Sequence, residues 1–263
     1  MSDTFAVKVI ASGSRGNSTI IKTGDTAVLV DAGISCKRIV TALRESGLEP
    51  SDLSAVLLTH EHIDHVNGLK VFAKNNAVPI YATEKTWQNY KDRSSIKREL
   101  IRVIPRKFTL GNLDIEPFSI PHDAADPVGY MLRCGSEKCT YLTDCGYVTA
   151  TCQAAVEGAK VLILEANHDV EMLKHGSYPV ELQERILGPL GHLSNKAAGF
   201  MLAQLQQLPQ EIFLAHLSAE NNRPDLALAT VQELLGQSLT GTDIYVTNQK
   251  EAINNEEWSE DNA

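Results

Sequence analysis

The 263 residues carry 24 Lys and Arg against 33 Asp and Glu, a formal net charge of −9, and 43% of them are hydrophobic. That is ample material for a large core, yet no apolar run approaches the roughly 18–20 residues of a membrane span. The acidic balance speaks against a surface built wholly for phosphate contact, and Met1–Ile10 lacks the basic-then-apolar pattern of a signal peptide.

A cytoplasmic location without membrane association is therefore expected. The cysteines agree: Cys36, Cys134, Cys139, Cys145 and Cys152 are odd in number, form no C-x-x-C pair, and read as packed thiols. Oligomeric state is not legible.

Along the chain, Ala6–Ala11 reads as a strand entering the turn-rich loop Ser12–Ser18. Thr19–Thr23 and Ala27–Asp31 are strands around the Gly24-Asp25 turn. Ser35 is placed to cap a helix through Arg44, with Ile39, Val40 and Leu43 at helical spacing and Gly47 closing it. Ser54–Thr59 is a buried strand that delivers a histidine-rich segment, followed by a helix from Val66. Tyr130–Arg133 and Thr140–Thr143 are strands, Thr149–Val156 a helix, Val161–Glu165 a strand and Ser194–Gln207 a long amphipathic helix. Glu211–Ala215 is a strand, Pro224–Leu235 a helix, and Val246–Thr247 closes the last strand. One domain over residues 1–263 is expected, with 250–263, acidic in Glu256, Glu257, Glu260 and Asp261, as a flexible tail.

His60-Glu61-His62-Ile63-Asp64-His65 puts three imidazoles and a carboxylate directly after an apolar strand. Such donors suit Zn²⁺, Mn²⁺ or Fe²⁺, and a turn leading into a helix splits them into two sets, enough to serve two ions. Further donors stand where other strands end: His122, Asp144 and His216. Asp144 is suited to bridge, because one carboxylate can offer an oxygen to each ion.

The order His-x-His-x-Asp-His, His, Asp, His resembles the ligand series of the metallo-β-lactamase superfamily, over roughly Val7 to Thr247. Leu29–Gly33, Thr59 and Gly68 add to the likeness. His62 stands where flavo-diiron members carry Glu, which favours the hydrolase branch. The resemblance implies an α/β fold, the four-layer αβ/βα sandwich. It implies one ion on His60, His62 and His122, another on Asp64, His65 and His216, and Asp144 between them.

Glu165-Ala166, His192-Leu193-Ser194 and His216-Leu217-Ser218 resemble the tRNase Z-like phosphodiesterases. The loop Gly13–Ser18 and the run His216–Pro224 are more similar to the YycJ/WalJ-like group. Too little chain separates Asp144 from His216 for the domain that RNase J-like nucleases insert there. The group implies a 5′-to-3′ DNA exonuclease connected to DNA repair. Two ions would bring a shared water toward a pKa of ~7, with Asp64 orienting it, His192 serving the leaving oxygen and Glu165 fixing the His192 tautomer.

Substrate contacts are expected from Ser14, Arg15 and Asn17 on the glycine-rich loop and from His168. A basic run of eight Lys and Arg from Lys85 to Lys107, including Lys97, Arg98 and Arg102, could track phosphates, with Trp87 and Tyr90 stacking on bases. His175 reads as solvated. The alternatives are a small-substrate hydrolase, such as a glyoxalase II-like thioesterase or a lactonase, and a metal-stabilised interaction module.

Overall fold

Strands that are apolar on both faces need cover on both sides, and the central strands here are of that kind. In the computed structural model, which describes residues 4–255 and Trp258, they assemble into two sheets. The first holds β1 (Ala6–Ala11), β2 (Ser18–Thr23), β3 (Thr26–Val30), β4 (Leu53–Leu57), β5 (Ile80–Ala82), β6 (Ile101–Val103) and β14 (Ile253–Asn254), in the order β14-β1-β2-β3-β4-β5-β6. The second holds β7 (Phe108–Leu110), β8 (Leu113–Ser119), β9 (Val128–Cys134), β10 (Glu137–Leu142), β11 (Val161–Glu165), β12 (Glu211–Ala215) and β13 (Asp243–Val246), in the order β13-β12-β11-β10-β9-β8-β7.

Alternation along each strand divides the side chains among three cores. Val7, Val9, Val28 and Val30 meet Tyr130, Tyr141, Ile163 and Phe213 between the sheets. Leu29, Val56 and Ile80 point outward and pack with helices α1 (Cys36–Glu45), α2 (Ile63–Val66), α3 (Leu69–Asn75) and α4 (Glu84–Asn89). On the far side, Leu162, Leu164 and Leu214 pack with α5 (Ala150–Val156), α8 (Asn195–Ala203) and α9 (Pro224–Leu235). Two short helices, α6 (Val170–His175) and α7 (Val180–Leu187), precede α8, and α7 has no buried residue. This is the four-layer sandwich that the resemblance implies.

β3 to β6 run parallel, as do β10 to β13. Their C-terminal ends therefore share an edge, where open α/β sheets place their ligands. Asp31 follows β3, Asp144 follows β10 and His216 follows β12, and all three adopt left-handed backbone with φ of 61°, 57° and 56°. Non-glycine residues enter that region at a cost and cluster at functional sites.

Three expectations need correction. The helix expected over Ser194–Gln207 ends at Ala203; Leu205 and Leu208 pack on the core from the turns beyond, and Phe200 is 55% exposed. The last strand of the second sheet, Asp243–Val246, closes at Val246, one residue short of the expected Thr247. The tail is packed where it is described: Ile253 and Asn254 pair with Val9 and Lys8, Asn255 is buried, and Trp258 is 4% exposed in the first core. Glu256, Glu257, Glu260 and Asp261 lie outside the described residues. No helix among the described residues is long and apolar enough to cross a membrane.

Candidate metal centre

The six-residue motif leaves β4 and turns into α2, with His62 at the helix N-cap. This turn sends His60 and His62 to one side, where they meet His122 from the loop after β8, with His62 Nδ1 3.3 Å from His122 Nε2. Asp64 and His65 go to the other side and meet Asp144 and His216, so that the donor atoms of these four lie within 4.8 Å of one another. Asp144 faces both groups: Oδ2 is 3.2 Å from His65 Nε2 and Oδ1 is 3.8 Å from His122 Nε2. The seven residues singled out in the sequence thus converge into two adjoining sets.

Each imidazole but His62 has its outward nitrogen engaged. His65 Nδ1 donates to Asp31 Oδ2 at 2.7 Å, and His60 Nδ1 lies 3.0 Å from the Thr59 hydroxyl. His122 Nδ1 donates to the Gly191 carbonyl at 3.2 Å, and His216 Nδ1 to Glu165 Oε1 at 3.0 Å. With Nδ1 held in this way, His60, His65, His122 and His216 turn Nε2 inward, as metal-binding histidines do, whereas His62 turns Nδ1 toward His122.

The inward side lacks donors to match. His60 Nε2 is buried without a hydrogen-bond partner. Burial and the neighbouring His65 hold the His60 pKa well below the ordinary imidazole range, which favours its neutral form. Burial opposes charge on His65 and His216, yet Asp144 and the other carboxylates overcome it, holding His65 far above its usual range and raising His216 to about 10. Burial likewise opposes ionisation of Asp64, but His65 and His216 pull its pKa below the carboxylate range. Such a field calls for cations, and the partners of Asp31, Asp64, Asp144 and Glu165 are imidazoles, amides, a hydroxyl and backbone N–H groups rather than Lys or Arg. The residues fit divalent metal ions.

His192 stands beside this cluster, half-buried, with Nδ1 donating to Glu165 Oε1 at 2.8 Å. Both Glu165 oxygens are saturated: Oε1 serves His192 and His216, and Oε2 accepts from the N–H groups of Cys145 and Leu193 at 2.9 Å each. Burial alone would raise its pKa, but His192 and its other partners bring it down to about 2, so it stays a carboxylate. A cavity of about 180 Å³ opens onto His122 and His192, and its far wall includes Tyr178, Leu182, Arg185 and Leu190.

The substrate contacts expected from sequence divide. Ser14 lines the cavity and Arg15 is exposed beside it. Asn17 is buried and supports the ligands instead, with Nδ2 3.1 Å from His65 Nε2 and 3.3 Å from Asp64 Oδ2. His168 is 1% exposed and its pKa is depressed to about 4 by burial; its backbone carbonyl caps the start of α8, so it is a packed residue rather than a substrate contact. His175 is exposed, as expected, beside Glu171. Lys97, Arg98 and Arg102 lie at the outer edge by β6, away from the cavity lining. Trp87 and Tyr90 cannot stack on bases: both are buried in the first core, and Trp87 Nε1 donates to the Arg102 carbonyl.

Sequence reasoning assigned no role to Asp31, Asp123 or Arg185. Asp31 had a signal, an acidic residue closing an apolar strand, the same sign that marked Asp144. Asp123 and Arg185 had none; their 2.6 Å ion pair joins positions remote in the chain.

Comparisons agree with this geometry. Residues 26–217 match the family model described as a beta-lactamase superfamily domain. The chain is 41% identical over 246 residues, 91% of each chain, to exodeoxyribonuclease WalJ of Streptococcus pneumoniae. It is 38% identical over 238 residues to exodeoxyribonuclease YycJ of Bacillus anthracis, covering 86% of this chain and 88% of that one. Among solved structures, the metallo-beta-lactamase fold protein YhfI of Bacillus subtilis superposes with a TM-score of 0.71 at 17% identity, over 95% of this chain and all of that one, which speaks to fold alone. Ligand order, sandwich and relatives converge: the chain belongs to the metallo-β-lactamase superfamily, within its group of WalJ- and YycJ-like proteins.

Proposed function

We propose that the protein is a divalent-metal-dependent phosphodiesterase that removes nucleotides from DNA, 5′ to 3′, in a cytoplasmic setting. The observation that carries this reading is the His192–Glu165 pair beside the donor cluster. His192 is not among the seven donors proposed for the ions, whereas cleaving a phosphodiester calls for a group that can protonate a departing oxygen. The WalJ and YycJ relatives, named as exodeoxyribonucleases, give that chemistry its substrate.

His60, His62 and His122 would hold one ion and Asp64, His65 and His216 a second, with Asp144 shared; Zn²⁺ and Mn²⁺ both suit the donors, and Fe²⁺ is compatible. When bound, such ions supply a more acidic water and neutralise charge that builds on the phosphate. The protein does the remainder. Asp64 spends Oδ2 on Asn17, His65 and His216, which leaves Oδ1 to orient the attacking water. Glu165 holds His192 by Nδ1, so that Nε2 delivers the proton to the leaving oxygen. At 20% side-chain exposure, His192 can recover that proton from solvent.

One observation favours a second reading. Leu182, Ile186 and Leu190 give the cavity an apolar wall that suits the acyl portion of a thioester or lactone. The deciding experiment loads the protein separately with Mn²⁺ and Zn²⁺ and offers end-labelled single- and double-stranded DNA and RNA beside thioester and lactone substrates. Stepwise loss of nucleotides from DNA 5′ ends, absent in Asp64→Ala, supports the exonuclease. Turnover of the small substrates alone would overturn it.

A further inference from the structure

The loop Ser12–Ser18 separates two hollows. On one side lies the cavity beside His192, which Ser14 helps to line. On the other lies a groove of about 410 Å³ whose walls include Ser12, Leu217, Asn222, Gln249 and Lys250. Ser218, two residues beyond His216, lines both. The loop is rigidly seated there. Ser12 Oγ accepts the His216 N–H at 2.7 Å, and a Cβ on Gly13 would lie 2.8 Å from the Leu217 carbonyl oxygen. Gln249 ties the groove wall to the ridge, accepting from Arg15 N–H at 2.8 Å and donating to the Gly16 carbonyl at 2.8 Å.

Cations mark this line. Arg15 is exposed at the crest, and its only hydrogen bond among the described residues is made by its backbone N–H. Lys250, also exposed, lines the groove. Glu251 is the acidic residue of the groove wall. Arg38, which could have added charge, is spent on the Ile10 and Gln249 carbonyls. By contrast, the basic run Lys97–Arg102 surrounds edge strand β6 and shares no lining residue with either hollow.

We infer that a single DNA strand lies across this ridge, with the nucleotide being cleaved in the cavity beside His192, its neighbours in the groove, and Arg15 and Lys250 on the phosphates between them. The inference rests on the nuclease reading and adds the path of the substrate. Ser12, Asn222 and Gln249 are spent within the fold and keep the groove wall rigid, so the contacts left for a strand are those of the exposed Lys250 in the groove and Arg15 on the crest. The Lys85–Lys107 run has no part in it.

The test compares Arg15→Glu/Lys250→Glu with Lys97→Glu/Arg98→Glu/Arg102→Glu in the full, Mn²⁺-loaded chain. The readouts are KM, kcat and salt dependence on a single-stranded oligodeoxynucleotide, with bis(p-nitrophenyl) phosphate as a small phosphodiester that reports folding and metal loading. The ridge variant is expected to raise KM for the oligonucleotide about tenfold or more, a larger factor than any loss on the small phosphodiester. Its salt slope should fall by about 1.4, at roughly 0.7 for each single-strand phosphate that the protein no longer neutralises. The edge variant is expected to match the wild type. An unchanged KM and salt slope in the ridge variant, or an equal or larger loss in the edge variant, overturns the path while leaving the nuclease reading intact. Wild-type protein that cleaves the small phosphodiester but no DNA overturns both.

Discussion

Asp31 Oδ2 and His65 Nδ1 lie 2.7 Å apart, and neither side chain touches solvent. Asp31 also accepts from the Thr59 N–H at 2.9 Å and sits 3.0 Å from the Thr59 hydroxyl, which in turn meets His60 Nδ1. One carboxylate at the end of β3 thus sets the orientation of two donors that leave β4.

Asp31→Asn keeps the shape and tolerates the left-handed backbone, so it isolates the loss of the charged acceptor. Outer partners of metal-bound histidines are worth 10–100-fold in metal affinity. A drop within that range is expected in competition with a fluorescent chelator, with secondary structure retained; unchanged affinity would remove Asp31 from the site.

His192 and Glu165 should separate. His192→Ala is expected to lower kcat on DNA by about 10²–10⁴ with metal content unchanged, the scale of one general acid. Glu165→Gln should match that loss and also weaken metal binding, because Glu165 holds His216 Nδ1 as well as His192 Nδ1. Measuring kcat beside metal stoichiometry distinguishes the two, and equal metal affinity in both variants would refute the shared role.

Chelation should abolish turnover and leave the fold standing. Restoring an ion at a hundred times its Kd adds about 2.7 kcal/mol, which for a chain of this size raises Tm by roughly 5–10 °C. A thermal melt with and without ion checks it; full unfolding on chelation would contradict it.

Trp87→Ala should behave as a core mutation. The buried indole packs in the first core and donates to the Arg102 carbonyl. A loss of about 3–5 kcal/mol is expected from denaturant titration, with KM for DNA unchanged at temperatures where the variant is folded. A rise in KM without destabilisation would restore the stacking role.

The sequence made the donor set legible because its chemistry is local. His60 to His65 lie in one turn, and His122, Asp144 and His216 each follow an apolar strand. The long apolar strands and the capped helix after Ser35 were legible for the same reason. The three-residue strands β5, β6 and β7 were not, because so few residues show no period of their own and are fixed by neighbours in the sheet. The basic run misled in the opposite way: charge is visible in sequence, but the burial of Trp87 and Tyr90 between those charges is decided by tertiary packing. Trp258 followed the same pattern, since an acidic context hid a side chain that docks in the first core.

The left-handed backbones at Asp31, Asp144 and His216 bear on how the enzyme meets its ions. Each costs on the order of 1–3 kcal/mol, and the parallel strands meet that cost during folding. The donors are therefore a socket rather than a clasp, shaped before anything is plugged in. On the proposed reading, ions are expected to leave and be exchanged while the chain stays folded, and donors of this kind suit several of them. The metal found in a given preparation is thus expected to record the supply around the protein as much as any preference of its own.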